Sequence, residues 1–360
     1  MGRNVMTNIE KLMQSIVEEG TCAMVTDPVN RRYFTGFKSS EGVVLCFCDK
    51  AYFLVDFRYY EKAAEVVKGM DVILMTDRIP QITDILLKHT AECLMIEADT
   101  MTVSELNEAA ESFSAIVYID SSSELSDIIT DLRLIKEQSY VEKIIAAQRI
   151  AEQGFEYVLE NIKRGMTEKE VALMLDNKMK LLGAEDISFD TIVLFDKNAS
   201  LPHGVPGNDR LEKGFVLMDF GAVVDGYHSD MTRTFYAGTP SEREKKAYET
   251  VLKAQLAGIK AAAPGLTGKQ LDAVARDIID ATEFKGSFGH SLGHGVGMEI
   301  HEEPYVSSRK EDILEPGMII TVEPGIYLPG EFGIRIEDMG MITENSFDDI
   351  TRSPKELIIV

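Results

Sequence analysis

Basic residues are scarce in this chain of 360 residues: 37 Lys and Arg stand against 60 Asp and Glu, a net charge of −23. Nucleic acid and anionic lipid are bound through clustered Lys and Arg, so this balance excludes both as partners. Long apolar runs are missing too. Nowhere do about eighteen consecutive apolar residues occur, the length a bilayer-spanning helix needs. The opening stretch MGRNVMTNIEKLMQ also lacks the apolar centre of a secretory signal. The expectation is a soluble, cytoplasmic protein with no membrane partner. Cysteine is rare: Cys22, Cys46, Cys48 and Cys93 all fall in the first hundred residues without zinc-like spacing, which predicts reduced and mostly buried thiols. What the chain does have is 45% apolar residues, enough to bury a full core, and a length that suggests about two domains.

Residues 1 to about 130 alternate strand-like runs (Gly42 to Phe47, Ala51 to Val55, Val72 to Met75, Cys93 to Ile96, Ala115 to Ile119) with helical ones such as Tyr59 to Val67. This predicts an α/β domain without evident catalytic residues, residues 1–132. After Ser121-Ser122-Ser123 the pattern changes to a long amphipathic helix over Ser139 to Arg164, placing a second domain at 133–360.

The second domain carries an internal repeat. Arg164-Gly165-Met166-Thr167 ends one helix and opens another through a Thr167 to Glu170 capping box; Pro264-Gly265-Leu266-Thr267 does the same with Thr267 and Gln270. Each junction is followed by a helix and then a bent strand pair, Phe215 to Tyr236 and Met318 to Ile342. Two such units imply a pseudo-two-fold α+β domain with its cleft between the halves.

The two hairpins hold the chemistry. With Asp225-Gly226 as a two-residue turn, Gly221 pairs with Asp230, and Asp219 lies one diagonal step away, within about 7–8 Å. A three-residue turn centred on Gly330 puts Glu323 opposite Glu337. Four carboxylates converging on one cleft raise each other's pKa values unless cations neutralise them, and two divalent ions supply the matching charge. A nitrogen ligand is available in GSFGHSLGHGVGMEIHEEP, where glycines let the backbone fold around His290 and His294. Oxygen ligands with one imidazole suit Mn or Co, with Zn a further option. Such a pair activates water and polarises a carbonyl.

Asp219, Asp230, His294, Glu323 and Glu337, together with LPHG at 201–204, SDMTRT at 229–234, EPGIY at 323–327 and GIRIED at 333–338, closely resemble the pita-bread metallopeptidases, above all aminopeptidase P and prolidase. NRRYFTGF and DFRYYEKA extend the resemblance into a creatinase-like N-terminal domain. The resemblance implies that Asp219 chelates one metal, His294 and Glu323 the other, and that Asp230 and Glu337 bridge them. It makes Glu323 the proton acceptor, has His203 and His301 steady the substrate carbonyl and tetrahedral intermediate, and lines a proline pocket with His290, Tyr327 and Arg335. It further implies a homodimer acting on short proline-containing peptides as an Xaa-Pro aminopeptidase, with Xaa-Pro dipeptidase as the alternative. Tyr33 and Phe34 are the candidates to shape a partner's active-site mouth. Leu194-Phe195-Asp196 departs from the small residues usual in relatives, which puts access to the cleft near Phe195 in question.

Other readings are weaker. Gly289-His290-Ser291-Leu292-Gly293 matches the G-x-S-x-G of serine hydrolases, but no convincing strand precedes it and the later histidines sit too close. Gly293, Gly295 and Gly297 suggest a dinucleotide fingerprint, yet Met298 occupies the third glycine position. A methionine aminopeptidase usually lacks the first domain, and a metal-free creatinase-like enzyme would have lost the carboxylates. A peptide-binding module without catalysis on the same fold has no need to keep them. Taken singly, Asp225 reads as a turn residue, Asp338 as solvated or behind the ligands, Glu302 and Glu303 as surface groups, and His228 as an exposed strand residue.

Overall fold

A computed structural model describes residues 6–360; the first five, the start of the polar opening stretch, lie outside it. The chain divides into two compact units, one ending at Arg133 and the other beginning at Leu134. Among the described residues no helix is long and apolar enough to cross a membrane.

The first unit is built on six strands: β1 (Thr21–Val25), β2 (Val43–Cys46), β3 (Ala51–Val55), β4 (Asp71–Leu74), β5 (Cys93–Ile96) and β6 (Tyr118–Asp120). They form one mixed sheet in the order β4-β3-β2-β1-β5-β6. β1 is not among the expected strands. All five of its residues are buried, so it carries no alternation to betray it. The strand expected from Ala115 begins only at Tyr118, because Ile116 and Val117 donate their N–H groups back to Phe113 and close the preceding helix. Tyr33 and Phe34 are buried in this unit, edge to face with each other, and the Tyr33 hydroxyl donates to the Leu132 carbonyl. Their rings are therefore committed to their own unit, and the expectation that they present a surface to a partner is withdrawn. Cys22 and Cys46 are buried, Cys93 half-buried and Cys48 exposed, all as free thiols.

In the second unit the expected long helix runs Gln138–Asn161, ending three residues early where Ile162 turns extended. The repeat is visible in its hydrogen bonds. Gly165 and Gly265 both adopt left-handed backbone, with φ of 86° and 88°. Each donates its N–H to a leucine carbonyl, Leu211 at 2.8 Å and Leu314 at 2.9 Å. Both capping boxes form, opening helices Glu168–Leu181 and Gly268–Asp280.

The strands follow in two matching sets. In the first half, β7 (Asp186–Ile187), β8 (Ile192–Phe195), β9 (Gly214–Phe220), β10 (Ala222–Val224), β11 (Tyr227–His228) and β12 (Met231–Ala237) make the sheets β12-β9-β8 and β11-β10-β7. In the second, β13 (Gly293–Gly295), β14 (Glu302–Val306), β15 (Ile319–Val322), β16 (Gly325–Leu328), β17 (Phe332–Arg335), β18 (Asp338–Ile342) and β19 (Phe347–Asp349) make β14-β13-β15-β18-β19 and β16-β17. Each half packs its helix pair on its own sheet. Phe155, Val171 and Leu175 meet Phe220 and Phe235 in one core; Val251, Leu271 and Ile279 meet Ile320 and Ile334 in the other. The α/β first unit and the α+β pseudo-symmetric second unit match the expected fold class.

Candidate metal centre and substrate cavity

The first hairpin keeps the expected register throughout. Val224 pairs with Tyr227 across the Asp225-Gly226 turn, and Phe220 pairs with Met231 in the same alignment, so Gly221 faces Asp230 and Asp219 faces Thr232. Gly221 is required here, since a Cβ would run into the Ser229 carbonyl. In the second hairpin Leu328 pairs with Phe332 and Gly325 with Arg335, the alignment that sets Glu323 against Glu337.

His294 arrives from a strand with no room on either side. A Cβ at Gly293 would strike the Thr321 carbonyl, and one at Gly295 the Glu303 carbonyl. The glycines let β13 thread between β14 and β15 and aim the imidazole inward. Its Nδ1 lies 3.0 Å from the Gly295 carbonyl, which only accepts, so Nδ1 carries the proton and Nε2 a free lone pair. That Nε2 lies 3.5 Å from both Asp230 Oδ2 and Glu323 Oε1. Burial, then the neighbouring His301, pushes His294 down to about 4, which keeps it neutral.

Asp230, His294 and Glu337, all buried, each offer one ligand atom within 4.8 Å of the others. Burial and then the Asp219 charge push Glu337 up to about 8. Asp230 and Glu323 are raised well above the carboxylate range, by burial first and by the Glu337 charge second. Asp219 Oδ1 and Asp230 Oδ1 are buried without a hydrogen-bond partner. Repelling carboxylates with orphaned oxygens beside a neutral imidazole nitrogen form a donor set that fits divalent cations.

A second layer holds these groups. Thr232 Oγ1 donates to Glu337 Oε2 at 2.6 Å and accepts from Arg335 Nε at 3.0 Å. Arg335 Nη2 binds Asp219 Oδ2 at 2.5 Å, while Nη1 donates to the Tyr327 hydroxyl at 2.7 Å and the Pro202 carbonyl at 3.4 Å. The chain continues: His290 Nδ1 donates to the Ser291 carbonyl, so its Nε2 accepts from the Tyr327 hydroxyl at 2.8 Å. His290, pushed down to about 3 by burial and then the Arg335 charge, stays neutral in that role. Four of the five N–H groups of Arg335 are thus spent within the protein, leaving one for a ligand. A two-pronged grip on a peptide carboxylate is not available to it as it stands.

These residues open onto a cavity of about 490 Å³. His203, His290, His294, His301 and Arg335 line it with the four carboxylates; Tyr327 stands behind His290 and Arg335. Phe189, Asp190, Ile192, Val205 and Tyr305 also line it and were not anticipated. The signal for Ile192 was the apolar run IVLF, which forms β8 and sets Ile192 beside Asp219. Leu194 and Phe195 are buried in the protein and do not line the cavity, so the departure at these positions does not obstruct it. His228 is half-buried and outside the lining.

The surface expectation for Glu302 is overturned: its carboxylate is enclosed with Lys136 Nζ at 2.6 Å. Of the two readings of Asp338, solvated or behind the ligands, the structure supports the second: it is fully buried, paired with Arg233 and Lys355 at 2.7 Å each, and Arg233 also donates to the Glu337 carbonyl. Ser291 lines the cavity, but no strand leads into it and no helix follows, so the nucleophile elbow of a serine hydrolase is absent. Gly293 and Gly295 sit within β13, not in a strand-to-helix turn for a dinucleotide.

Residues 9–135 match the creatinase/prolidase N-terminal domain, and residues 142–344 match metallopeptidase family M24. An uncharacterized peptidase of Bacillus subtilis, YqhT, is 42% identical over 98% of this chain and 99% of its own length. An Xaa-Pro dipeptidase structure from Bacillus anthracis superposes with a TM-score of 0.93 at 40% identity, covering 98% of this chain and 99% of the other. An X-Pro aminopeptidase structure from Thermotoga maritima gives 0.89 at 32% identity, covering 94% and 97%. Two domain matches in order, joined to a cleft whose donors suit divalent cations, lead to one assignment: this chain is an enzyme of metallopeptidase family M24, a family of metal-dependent hydrolases.

Proposed function

We propose that this protein hydrolyses the peptide bond preceding proline in short peptides, using two divalent cations held by Asp219, Asp230, His294, Glu323 and Glu337. The observation that carries the reading is the pairing of two hairpins, each delivering two carboxylates to one cavity beside the His294 lone pair. When bound, such cations supply a water nucleophile at neutral pH and polarise the scissile carbonyl. Glu323 takes the water's proton on a carboxylate oxygen. His203 and His301, both exposed on the cavity wall, donate N–H groups to the substrate carbonyl and to the charge that develops on it. His290 and Arg335 receive the proline ring, which packs without needing an N–H partner.

The oxygen-rich donor set with one imidazole supports manganese as the metal, with cobalt and zinc as alternatives; the resemblance supports a homodimer, and the expected location is cytoplasmic. Release of the leading residue from longer peptides is the first reading, an aminopeptidase, because the sequence shows no evident insertion that would close the far side of the cleft. The dipeptidase reading is supported by the name of the Bacillus anthracis relative and by its higher identity. Kinetics on Xaa-Pro and Xaa-Pro-Yaa peptides, with and without added Mn, decide between them. Turnover of dipeptides alone assigns a dipeptidase, and equal cleavage of Ala-Ala-Yaa and Ala-Pro-Yaa rejects the proline pocket.

A further inference from the structure

Glu168 is the first residue of helix Glu168–Leu181 and is fully buried. No Lys or Arg pairs with it among the described residues. Its Oε1 accepts from the Phe195 N–H at 2.7 Å and from Asn198 Nδ2 at 3.0 Å, and its Oε2 accepts from the Gly207 N–H at 2.7 Å. A buried carboxylate is tolerated when neutral donors satisfy both oxygens, and these donors all come from one segment. That segment, residues 195–207, leaves the end of β8, turns through Asp196–Ser200 and supplies the cavity wall from Pro202 to Pro206.

His203 lies between the two anchors. Its ring has no hydrogen-bond partner among the described residues, so its placement comes from the backbone alone. Leu201 N–H donates to Asn198 O and Gly204 N–H to Leu201 O, each at 3.0 Å, and Arg335 holds the Pro202 carbonyl. We propose that Glu168 is a positioning residue: by pinning both ends of the segment 195–207 it sets His203 against the cavity, and it influences turnover through His203. This rests on the reading of His203 as a donor to substrate.

The test is a double-mutant cycle on Xaa-Pro substrate with the metal-loaded enzyme. Glu168→Gln keeps the volume but turns an amide NH₂ toward a donor. It should lower kcat by about 10- to 100-fold, with KM and bound metal little changed. In a His203→Ala background the same change should cost less than about twofold, because the residue it positions is gone. An equal loss in both backgrounds overturns the positioning role while leaving His203 in place. Full kcat in His203→Ala alone overturns the role of His203, and this one with it. If Glu168→Gln does not fold, Asn198→Ala, which removes one of the three donors, enters the same cycle under the same criteria.

Discussion

Glu323 and Glu337 face each other across a break in the second hairpin without any loss of register. Val322 pairs with Asp338 in one sheet and Gly325 with Arg335 in the other, and both pairings belong to a single alignment centred on Gly330. The strand splits between two sheets where the carboxylates sit, which frees them from the ladder and turns both toward the cavity. Glu337 is also fixed through its backbone, its N–H donating to the Thr232 carbonyl at 3.1 Å. The first hairpin repeats the device at Gly221, between β9 and β10.

Glu337→Ala should abolish peptide hydrolysis and reduce tightly bound divalent metal to one equivalent or fewer, because this carboxylate is the proposed bridge between the ions. Elemental analysis after desalting is the check. Two retained equivalents would remove Glu337 from the ligand set.

Metal uptake should release protons. In the metal-free protein Glu337 titrates at about 8 instead of its ordinary 4.5. An acid raised in this way stabilises the fold below its unfolded pKa, and the contribution is lost as pH rises through the folded value. Below the ordinary histidine value of 6.5 the depressed His290 and His294 act in the opposite sense, so the metal-free melting temperature should fall as pH climbs from about 6.5 to about 8, and added Mn should reverse the loss. Calorimetry at about pH 7 in buffers of different ionisation enthalpy should show proton release that fades above about pH 8. Release that is absent at neutral pH contradicts the raised carboxylates.

Gly295→Ala places a methyl group against the Glu303 carbonyl in a strand hemmed in on both sides. The cost should be about 1–3 kcal/mol of stability. It should come with weaker metal binding than an equally destabilising change elsewhere, since β13 aims His294. Thermal unfolding and metal titration together test this, and unchanged metal affinity would mean that the strand yields without moving the imidazole.

Tyr327→Phe removes the hydroxyl that joins Arg335 to His290. Loss of that link should lower kcat/KM for proline substrates about 2- to 10-fold, mainly through KM, with bound metal unchanged. An effect on metal content instead would place Tyr327 in support of Asp219.

The readable part of this protein lay in patterns that are local along the chain. The capping boxes at Thr167 and Thr267 and the left-handed glycines before them mark the repeat, because helix ends must satisfy their own N–H groups nearby. Hairpin registers followed from turn length, since pairing propagates residue by residue from Asp225-Gly226 and from Gly330. That was enough to bring Asp219 near Asp230 and Glu323 near Glu337. Strand β1 stayed hidden because a run buried on both faces has no period to read.

What the tertiary structure alone decided is which groups meet across long sequence separation. Nothing local says that Arg335 spends its donors on Thr232, Tyr327, Pro202 and Asp219, or that Glu302 is enclosed with Lys136. Nothing local says that Phe195 packs into the core while Ile192 faces the cavity. These outcomes depend on how two separately capped halves pack, and a buried charge takes whatever partner that packing brings within reach.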